Sequence, residues 1–150
     1  DLHKAIRRQR QMCIRDSTGT GLWGPVWGYV ALEKDMDTMA GIIMAHKGET
    51  PGLGAEIATP KYQALFVGKK IFKGDQFVSV KLRKGGAQDP EHEVDAISGG
   101  TKTSDGVTAM LYNSLNNYLP FFAARREAAA VSAQAQPAEE QAPVTEVSNE

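Results

Sequence analysis

The fold is set by the stretch Val26-Trp27-Gly28-Tyr29-Val30-Ala31-Leu32, in which every second residue belongs to the same face. A period of two over this length is typical of a β-strand that buries one side. Residues 34–37 follow with the composition of a turn, and residues 39–45 form a second apolar run. The chain therefore predicts an antiparallel hairpin here.

Two segments further along the chain predict a helix and another strand. Thr59 is a good helix N-cap and Pro60 suits the first helical position, so we expect a helix to about residue 67, with Gly68 ending it. Residues 77–83 alternate again, which predicts another strand. The glycine pair at residues 85–86 ends that strand.

The last apolar-periodic segment predicts a longer helix. Ser104 is expected to cap it, Asp105 adds favourable charge in its first turn, and Pro120 is expected to end it. Its apolar face consists of Val107, Met110, Leu111, Leu115, Tyr118 and Leu119. Locally paired strands with separate helices predict an α+β fold: one domain, with a mostly antiparallel sheet and flanking helices.

Composition excludes several classes of function. The chain has 150 residues, 41% of them hydrophobic, which suits one domain with its own core. A net charge of −1 gives no reason to expect a nucleic-acid partner. The single cysteine, Cys13, excludes an internal disulfide, and the three histidines lie too far apart to predict a metal site. No apolar run in the sequence is long enough to span a bilayer.

The two ends differ from the middle in composition. Residues 1–17 are rich in arginine and lack an apolar period, and residues 11–17 resemble a translated sequencing adaptor. We therefore expect a non-native or disordered arm there, with a genuine basic arm as the alternative. From residue 123 the chain is rich in Ala, Gln, Glu and Pro, which predicts a disordered tail over 123–150. The expected domain is residues 18–122.

One stretch carries the chemistry: Asp95-Ala96-Ile97-Ser98-Gly99-Gly100-Thr101-Lys102-Thr103-Ser104. Small and hydroxyl residues beside a helix start suit a phosphate, because the first backbone N–H groups of a helix are unpaired and its dipole favours negative charge. The ordinary alternative is a Ser/Gly loop that caps a helix. Residues 19–24 also match G-x-G-x-x-G, but they lack the preceding strand and following helix that a dinucleotide fold requires.

Two other motifs precede this stretch. They are Gly21-Leu22-Trp23-Gly24 and Glu49-Thr50-Pro51-Gly52-Leu53-Gly54. In this order, over about residues 19–122, the three motifs resemble NqrC, the FMN-binding subunit of the sodium-translocating NADH:quinone oxidoreductases. The related protein RnfG of the Rnf electron-transport complex shares the second and third motifs, whereas the first motif and Gly48 favour the sodium-pump family.

The resemblance implies a covalent flavin. The family's flavinylation sequence is Asp-x-x-Ser/Thr-Gly-Ala-Thr/Ser, and its last residue, here Thr101, carries FMN through a phosphoester bond. Gly100 stands where alanine is usual. A separate magnesium-dependent transferase moves FMN from FAD to the threonine, with Asp95 and Ser98 as its recognition residues. The flavin phosphate would then lie among Ser98, Gly99, Gly100, Thr103 and Ser104.

The flavin ring needs an apolar slot with polar groups at its edge. Glu49 and Thr50 are candidates for hydrogen bonds to the ribityl chain or the ring edge, while Leu53 can pack on the ring and Trp23 can stack on it or shield it. A core role for Trp23 and Leu53 stays open. We expect the loop at residues 49–54 to lie within roughly 10–15 Å of Thr101, in a slot partly open to solvent.

The resemblance also implies a role. The domain would be a covalent-FMN, one-electron carrier in a membrane complex that oxidises NADH, reduces quinone and exports sodium, with no site of its own for these three. Its partners would be the other redox subunits and the flavin transferase. It would lie on the periplasmic side of the inner membrane, with the anchor helix missing from this chain. The alternatives are RnfG of the Rnf complex and a non-redox helper domain with an unmodified loop.

Overall fold

A three-stranded antiparallel sheet is the centre of the fold. The computed structural model describes residues 12–134. Strands β1 (Met12–Thr20), β2 (Pro25–Leu32) and β3 (Met39–His46) lie side by side in that order. Along β2, Val26, Gly28, Val30 and Leu32 are all buried. The predicted hairpin of β2 and β3 is confirmed.

A short helical segment follows the sheet. It consists of a 3-10 turn (Gly54–Ala58), helix α1 (Pro60–Gln63) and a second 3-10 turn (Ala64–Phe66). The Thr59 side chain accepts a hydrogen bond from the Tyr62 N–H, as expected of an N-cap. Gly68 follows with a φ of 83°, a left-handed conformation that suits a glycine after a helix. The predicted helix start and stop are therefore confirmed, although only four residues are α-helical.

The strand predicted over residues 77–83 is interrupted. Strand β4 (Phe72–Lys73) pairs with β5 (Gln76–Phe77), and β6 (Lys81–Arg83) pairs in parallel with β7 (Glu93–Asp95), which the sequence did not predict. The break lies at Ser79, which has a φ of 61°. The N–H groups of Val78 and Ser79 both donate to the Ile71 carbonyl, so the backbone turns there although the apolar alternation continues.

Helix α2 (Thr101–Asn116) closes the core against the sheet. Its buried apolar side chains are Val107, Met110, Leu111 and Leu115. The helix begins four residues earlier than predicted, with Gly100 as its N-cap instead of Ser104. Ser104 therefore lies inside the helix, where its hydroxyl accepts from the Ile97 N–H at 3.1 Å. The prediction that Ser104 is the N-cap is wrong, because this hydroxyl ties the preceding loop to the helix instead.

The structure differs from the predicted boundaries at both ends. Strand β1 starts at Met12 and pairs with β2, and the side chains of Ile14 and Ser17 are buried. Helix α3 (Leu119–Gln134) extends past residue 122, and Pro120 lies in its first turn, where proline is tolerated, instead of ending α2. Phe122 anchors α3 because its ring packs against Tyr118 and Phe72. Residues 1–11 and 135–150 lie outside the described range.

Candidate functional site

The start of helix α2 presents an exposed hydroxyl. Thr101 is the first residue of the helix and is exposed, as are Ser98 and Lys102. Among residues 12–134, no side chain caps this end of the helix. The first backbone N–H groups therefore point outward beside the Thr101 hydroxyl, with the positive end of the helix dipole behind them. This arrangement can bind an anionic group.

Two glycines shape the turn before Thr101. Gly99 has a φ of 73°, which disfavours any residue with a Cβ. A Cβ at Gly99 would lie 2.6 Å from Leu53 Cδ2, and a Cβ at Gly100 would lie 3.0 Å from Ile97 Cγ2. The loop at residues 49–54 thus packs directly on this turn, which is the proximity to Thr101 that the sequence predicted.

Glu49 joins the three sequence motifs. Its side chain is buried, and its Oε1 accepts from the Trp23 backbone N–H at 2.9 Å. Its Oε2 accepts from the Thr103 hydroxyl at 2.5 Å. The hairpin loop at residues 21–24, the loop at residues 49–54 and helix α2 therefore meet at one carboxylate.

Backbone packing holds the hairpin loop against α2. A Cβ at Gly19 would lie 2.8 Å from the Gly106 carbonyl oxygen, and a Cβ at Gly106 would collide with the Thr20 carbonyl. From the sequence, neither glycine was predicted to make such a contact. An isolated glycine within a helical pattern, such as Gly106, is the signal that indicates a close backbone approach.

An exposed apolar rim lies at the same end of the molecule. Leu22 is 52% exposed, Trp23 68% and Leu53 40%. Leu53 contacts the turn before Thr101, and the Trp23 backbone is held by Glu49. Exposed apolar side chains beside an anion-binding helix start can accommodate a planar, partly apolar ligand with a phosphate group.

Two predicted residues lie outside the Glu49 cluster. Asp95 is exposed at the end of β7, and its Oδ1 accepts from the Ala87 N–H at 2.7 Å. Its carbonyl accepts from the Tyr62 hydroxyl at 2.7 Å. Burial, together with the negative charge of Asp95, raises the pKa of Tyr62 above its usual range, so this hydroxyl remains a donor. Thr50 is also exposed, and its carbonyl accepts from two N–H groups of its own loop.

Two cavities lie away from the predicted site residues. One of about 510 Å³ lies between β6 and α2, with Ser79, Leu82 and Tyr112 in its wall. Another of about 650 Å³ lies beside α3. The cluster around Thr101 is thus distinct from both. Over residues 12–134, no helix combines the length and the apolarity that a membrane crossing needs.

Comparison with known proteins identifies the class. A family model described as an FMN-binding domain matches residues 21–116, and the chain belongs to this family. The match runs from the hairpin loop to the end of α2, so it includes all three motifs. FMN is therefore the cofactor of this class of domain, and the resemblance inferred from the motifs is confirmed.

Two curated relatives that match this chain have the same protein name. The NqrC of Neisseria meningitidis, a Na(+)-translocating NADH-quinone reductase component, is 44% identical over 105 residues, which are 69% of this chain and 41% of that protein. The one from Haemophilus ducreyi is 48% identical over 89 residues, which are 59% of this chain and 35% of that protein. The chain therefore spans about two fifths of the length of these curated relatives.

Two solved structures resemble the structure of this chain. The crystal structure of NqrC from Parabacteroides distasonis matches with a TM-score of 0.68 and 48% identity, covering 75% of this chain and 55% of that one. The structure of Shewanella oneidensis NqrC matches with a TM-score of 0.63 and 37% identity, covering 73% of this chain and 52% of that one. These likenesses confirm the α+β fold with a mostly antiparallel sheet.

Proposed function

We propose that this chain is the FMN-carrying electron-transfer domain of a sodium-translocating NADH-quinone reductase, in the position that NqrC occupies. One observation carries the proposal: an exposed threonine at an uncapped helix start lies beside an exposed apolar rim, and one buried carboxylate joins the two. The names of the relatives support the same role and favour it over that of RnfG in the Rnf complex.

The phosphate end of FMN fits Thr101. The hydroxyl is exposed, Lys102 beside it is also exposed, and the helix start offers unpaired N–H groups to phosphate oxygens. In the attachment step a transferase would use FAD as donor. The bond between Thr101 Oγ1 and the FMN phosphorus would form as the pyrophosphate bond of FAD breaks, and AMP would be the leaving group. The hydroxyl proton passes to a base of the transferase, since the described residues next to Thr101 offer no general base.

Asp95 and Ser98 are proposed as recognition residues for the transferase. Both are exposed and precede Thr101, Asp95 as the last residue of β7 and Ser98 in the turn that follows it. The Asp95 carboxylate holds the turn at Ala87, so its position is defined before any partner binds. Ser98, Gly99 and Gly100 would leave room for the transferase to approach the hydroxyl, because none has a large side chain.

The ring end of FMN fits the apolar rim. Trp23 and Leu53 offer exposed apolar surface, and Thr50 offers a polar side chain on the same loop. When bound, FMN supplies reversible electron transfer, and the residues of this chain hold and orient it. The rim is open to solvent, so a neighbouring redox protein could approach within electron-transfer distance.

The setting follows from the proposed role. The domain would work on the periplasmic side of the inner membrane, between other redox subunits of the complex. The sites for NADH, quinone and sodium would belong to those subunits.

Co-expression with a flavin transferase tests this function. The purified protein should be yellow, and the flavin should stay with the chain after denaturation. Thr101→Ala should abolish this retention while the protein stays folded, whereas Thr18→Ala, which removes an exposed hydroxyl on β1, should not. A flavin that is released on denaturation would contradict covalent attachment, and a colourless wild-type protein would favour the non-redox helper domain.

A further inference from the structure

We propose that Glu49 is a positioning residue of the FMN site and not a ligand of the flavin; this inference rests on the proposed function. Its carboxylate ties the hairpin loop that carries Trp23 to the helix that carries Thr101. The covalent link would hold only the phosphate end of FMN. Where the ring can rest then depends on how Trp23 is held relative to Thr101.

The hydrogen bonds of Glu49 point inward. The residue is 5% exposed, and both carboxylate oxygens accept bonds from within the chain. Its own N–H donates to His46 Nδ1 at 3.1 Å, which fixes the start of the loop. The two partners of the carboxylate, the Trp23 N–H and the Thr103 hydroxyl, are both donors, which suits a group that accepts hydrogen bonds. Each carboxylate oxygen thus has a partner within the chain, and only 5% of the residue is exposed to a ribityl hydroxyl.

Glycines on both sides confirm the tight fit. A Cβ at Gly21 would collide with Glu49 Oε1, and a Cβ at Gly54 would collide with Glu49 Oε2. That added Cβ at Gly54 would also lie 2.5 Å from Thr103 Oγ1. The carboxylate therefore fills the space between two loops that approach each other at glycines. This explains physically why the three motifs occur together: each supplies one side of the same contact.

Glu49 thus affects the site through the position of Trp23 relative to Thr101. Trp23 is 68% exposed, so few side-chain contacts hold its ring, and its backbone is held by the bond to Glu49 within the turn that the Gly21 N–H closes on the Gly24 carbonyl. The Thr103 bond fixes the other end of the same carboxylate to the first turn of α2. Without Glu49, the Trp23 part of the hairpin loop would lose its bonded link to the first turn of α2, and the flavin ring would lose part of its defined environment.

Four variants separate the position of the Glu49 side chain from its charge. Glu49→Ala removes both bonds. Glu49→Gln keeps the shape and can keep both contacts, since its oxygen can accept from the Trp23 N–H and its amide can donate to the Thr103 oxygen. Glu56→Ala is the matched control, because it removes a half-buried carboxylate from the adjacent 3-10 turn. Thr103→Val breaks only the helix side of the contact and serves if Glu49→Ala does not fold.

The first readout needs no flavin. In a Trp27→Phe background, the emission anisotropy of apo protein reports on Trp23. We expect Glu49→Ala to lower it, Thr103→Val to lower it less, and Glu49→Gln and Glu56→Ala to match the parent. An anisotropy that is unchanged in folded Glu49→Ala, or in Thr103→Val where Glu49→Ala does not fold, would overturn the proposal.

The second readout is the visible circular dichroism of co-expressed, flavin-loaded protein. A flavin shows strong visible dichroism only when its ring is held in a fixed asymmetric environment. We expect Glu49→Ala to lose most of this signal at unchanged flavin content per chain, with rescue by Glu49→Gln. If Glu49→Gln loses the signal as fully as Glu49→Ala while Trp23 anisotropy is retained, Glu49 is a direct ligand instead. If wild-type protein carries no flavin, the proposed function fails, whereas the apo measurement still tests Glu49.

Discussion

At the scale of single residues, Ser79 combines two unfavourable features. It is 1% exposed, and its hydroxyl has no hydrogen-bond partner within the described part of the chain. Its φ of 61° lies in the left-handed region, which costs a residue with a Cβ of order 1 kcal/mol or more. Both features arise because the chain turns at Ser79 to place two N–H groups on the Ile71 carbonyl.

We therefore expect Ser79→Gly to stabilise the protein. Glycine removes the backbone strain and the unpaired hydroxyl together, for a gain of about 1–3 kcal/mol in the free energy of unfolding. Ser79→Ala removes only the hydroxyl and should gain less. Urea denaturation of the three proteins measures both changes, and a less stable Ser79→Gly would mean that the hydroxyl is satisfied by water.

A substitution at Gly106, in contrast, should destabilise the protein. Replacing a helical glycine by alanine usually stabilises a helix by about 1 kcal/mol. Here the added Cβ would collide with the Thr20 carbonyl, so we expect Gly106→Ala to lower the free energy of unfolding by about 1–3 kcal/mol. Asn113→Ala, on the exposed face of α2, is the control and should be neutral or slightly stabilising. A stabilising Gly106→Ala would show that β1 and α2 do not touch there.

At the scale of elements, Glu93 organises the pair β6 and β7. Its carboxylate accepts from the backbone N–H groups of Gln88 and Asp89 and from Arg83 Nη1. The Gln88 bond is the largest cause that lowers the pKa of Glu93 below its ordinary value of 4.5, with further contributions from Asp89 and Arg83. The ionised form is therefore the one that the fold stabilises.

This predicts a loss of stability in acid. Because the folded-state pKa lies below 4.5, the contribution of Glu93 is complete above that value and disappears as the pH falls through the folded-state pKa. Glu93→Gln should lower the free energy of unfolding by about 1–3 kcal/mol at neutral pH. It should also make the acid limb, the fall of the free energy of unfolding at acid pH, less steep. Glu91→Gln changes an exposed carboxylate and should leave the limb as it is. An acid limb unchanged in Glu93→Gln would contradict this account.

Helices and strands could be predicted from the sequence where the pattern depends only on neighbouring residues. The alternation of residues 26–32, the Thr59-Pro60 helix start and the apolar face of α2 each arise from neighbouring residues, and the structure has all three. Strand β7 was not predictable because its three residues pair with β6 across an intervening loop. The start of α2 was misplaced because Ser104 caps well in isolation, whereas here its hydroxyl serves the loop at Ile97.

At the scale of the whole molecule, the candidate site depends on packing that no single motif reveals. The three motifs could be found in the sequence, and the resemblance placed FMN among them. The burial of Glu49 could not be found, because it requires the hairpin loop, the loop at residues 49–54 and α2 to close around one side chain. From sequence, Glu49 was expected to hydrogen-bond the ribityl chain or the ring edge, whereas the structure places its carboxylate in the interior.

The N-terminal boundary gives a whole-molecule prediction. Ile14 is 1% exposed in the core, although composition placed it outside the domain. We expect Ile14→Ala to destabilise the protein by about 2–5 kcal/mol, as for other buried isoleucines. Ile43→Ala, at a position 63% exposed on the same sheet, is the control and should cost much less. Equal and small effects of the two variants would mean that residues 12–17 do not dock and that the domain begins near residue 18.

Peptide mass mapping shows which residue carries the flavin. After co-expression with a flavin transferase and denaturation, trypsin should cut after Lys84 and Lys102, which places Thr101 and Thr103 on different peptides. The account predicts one FMN phosphoester on the peptide of residues 85–102, with fragmentation assigning it to Thr101 and not to Ser98. A modification on the peptide that begins at Thr103, on Ser98, or on no peptide at all would contradict it.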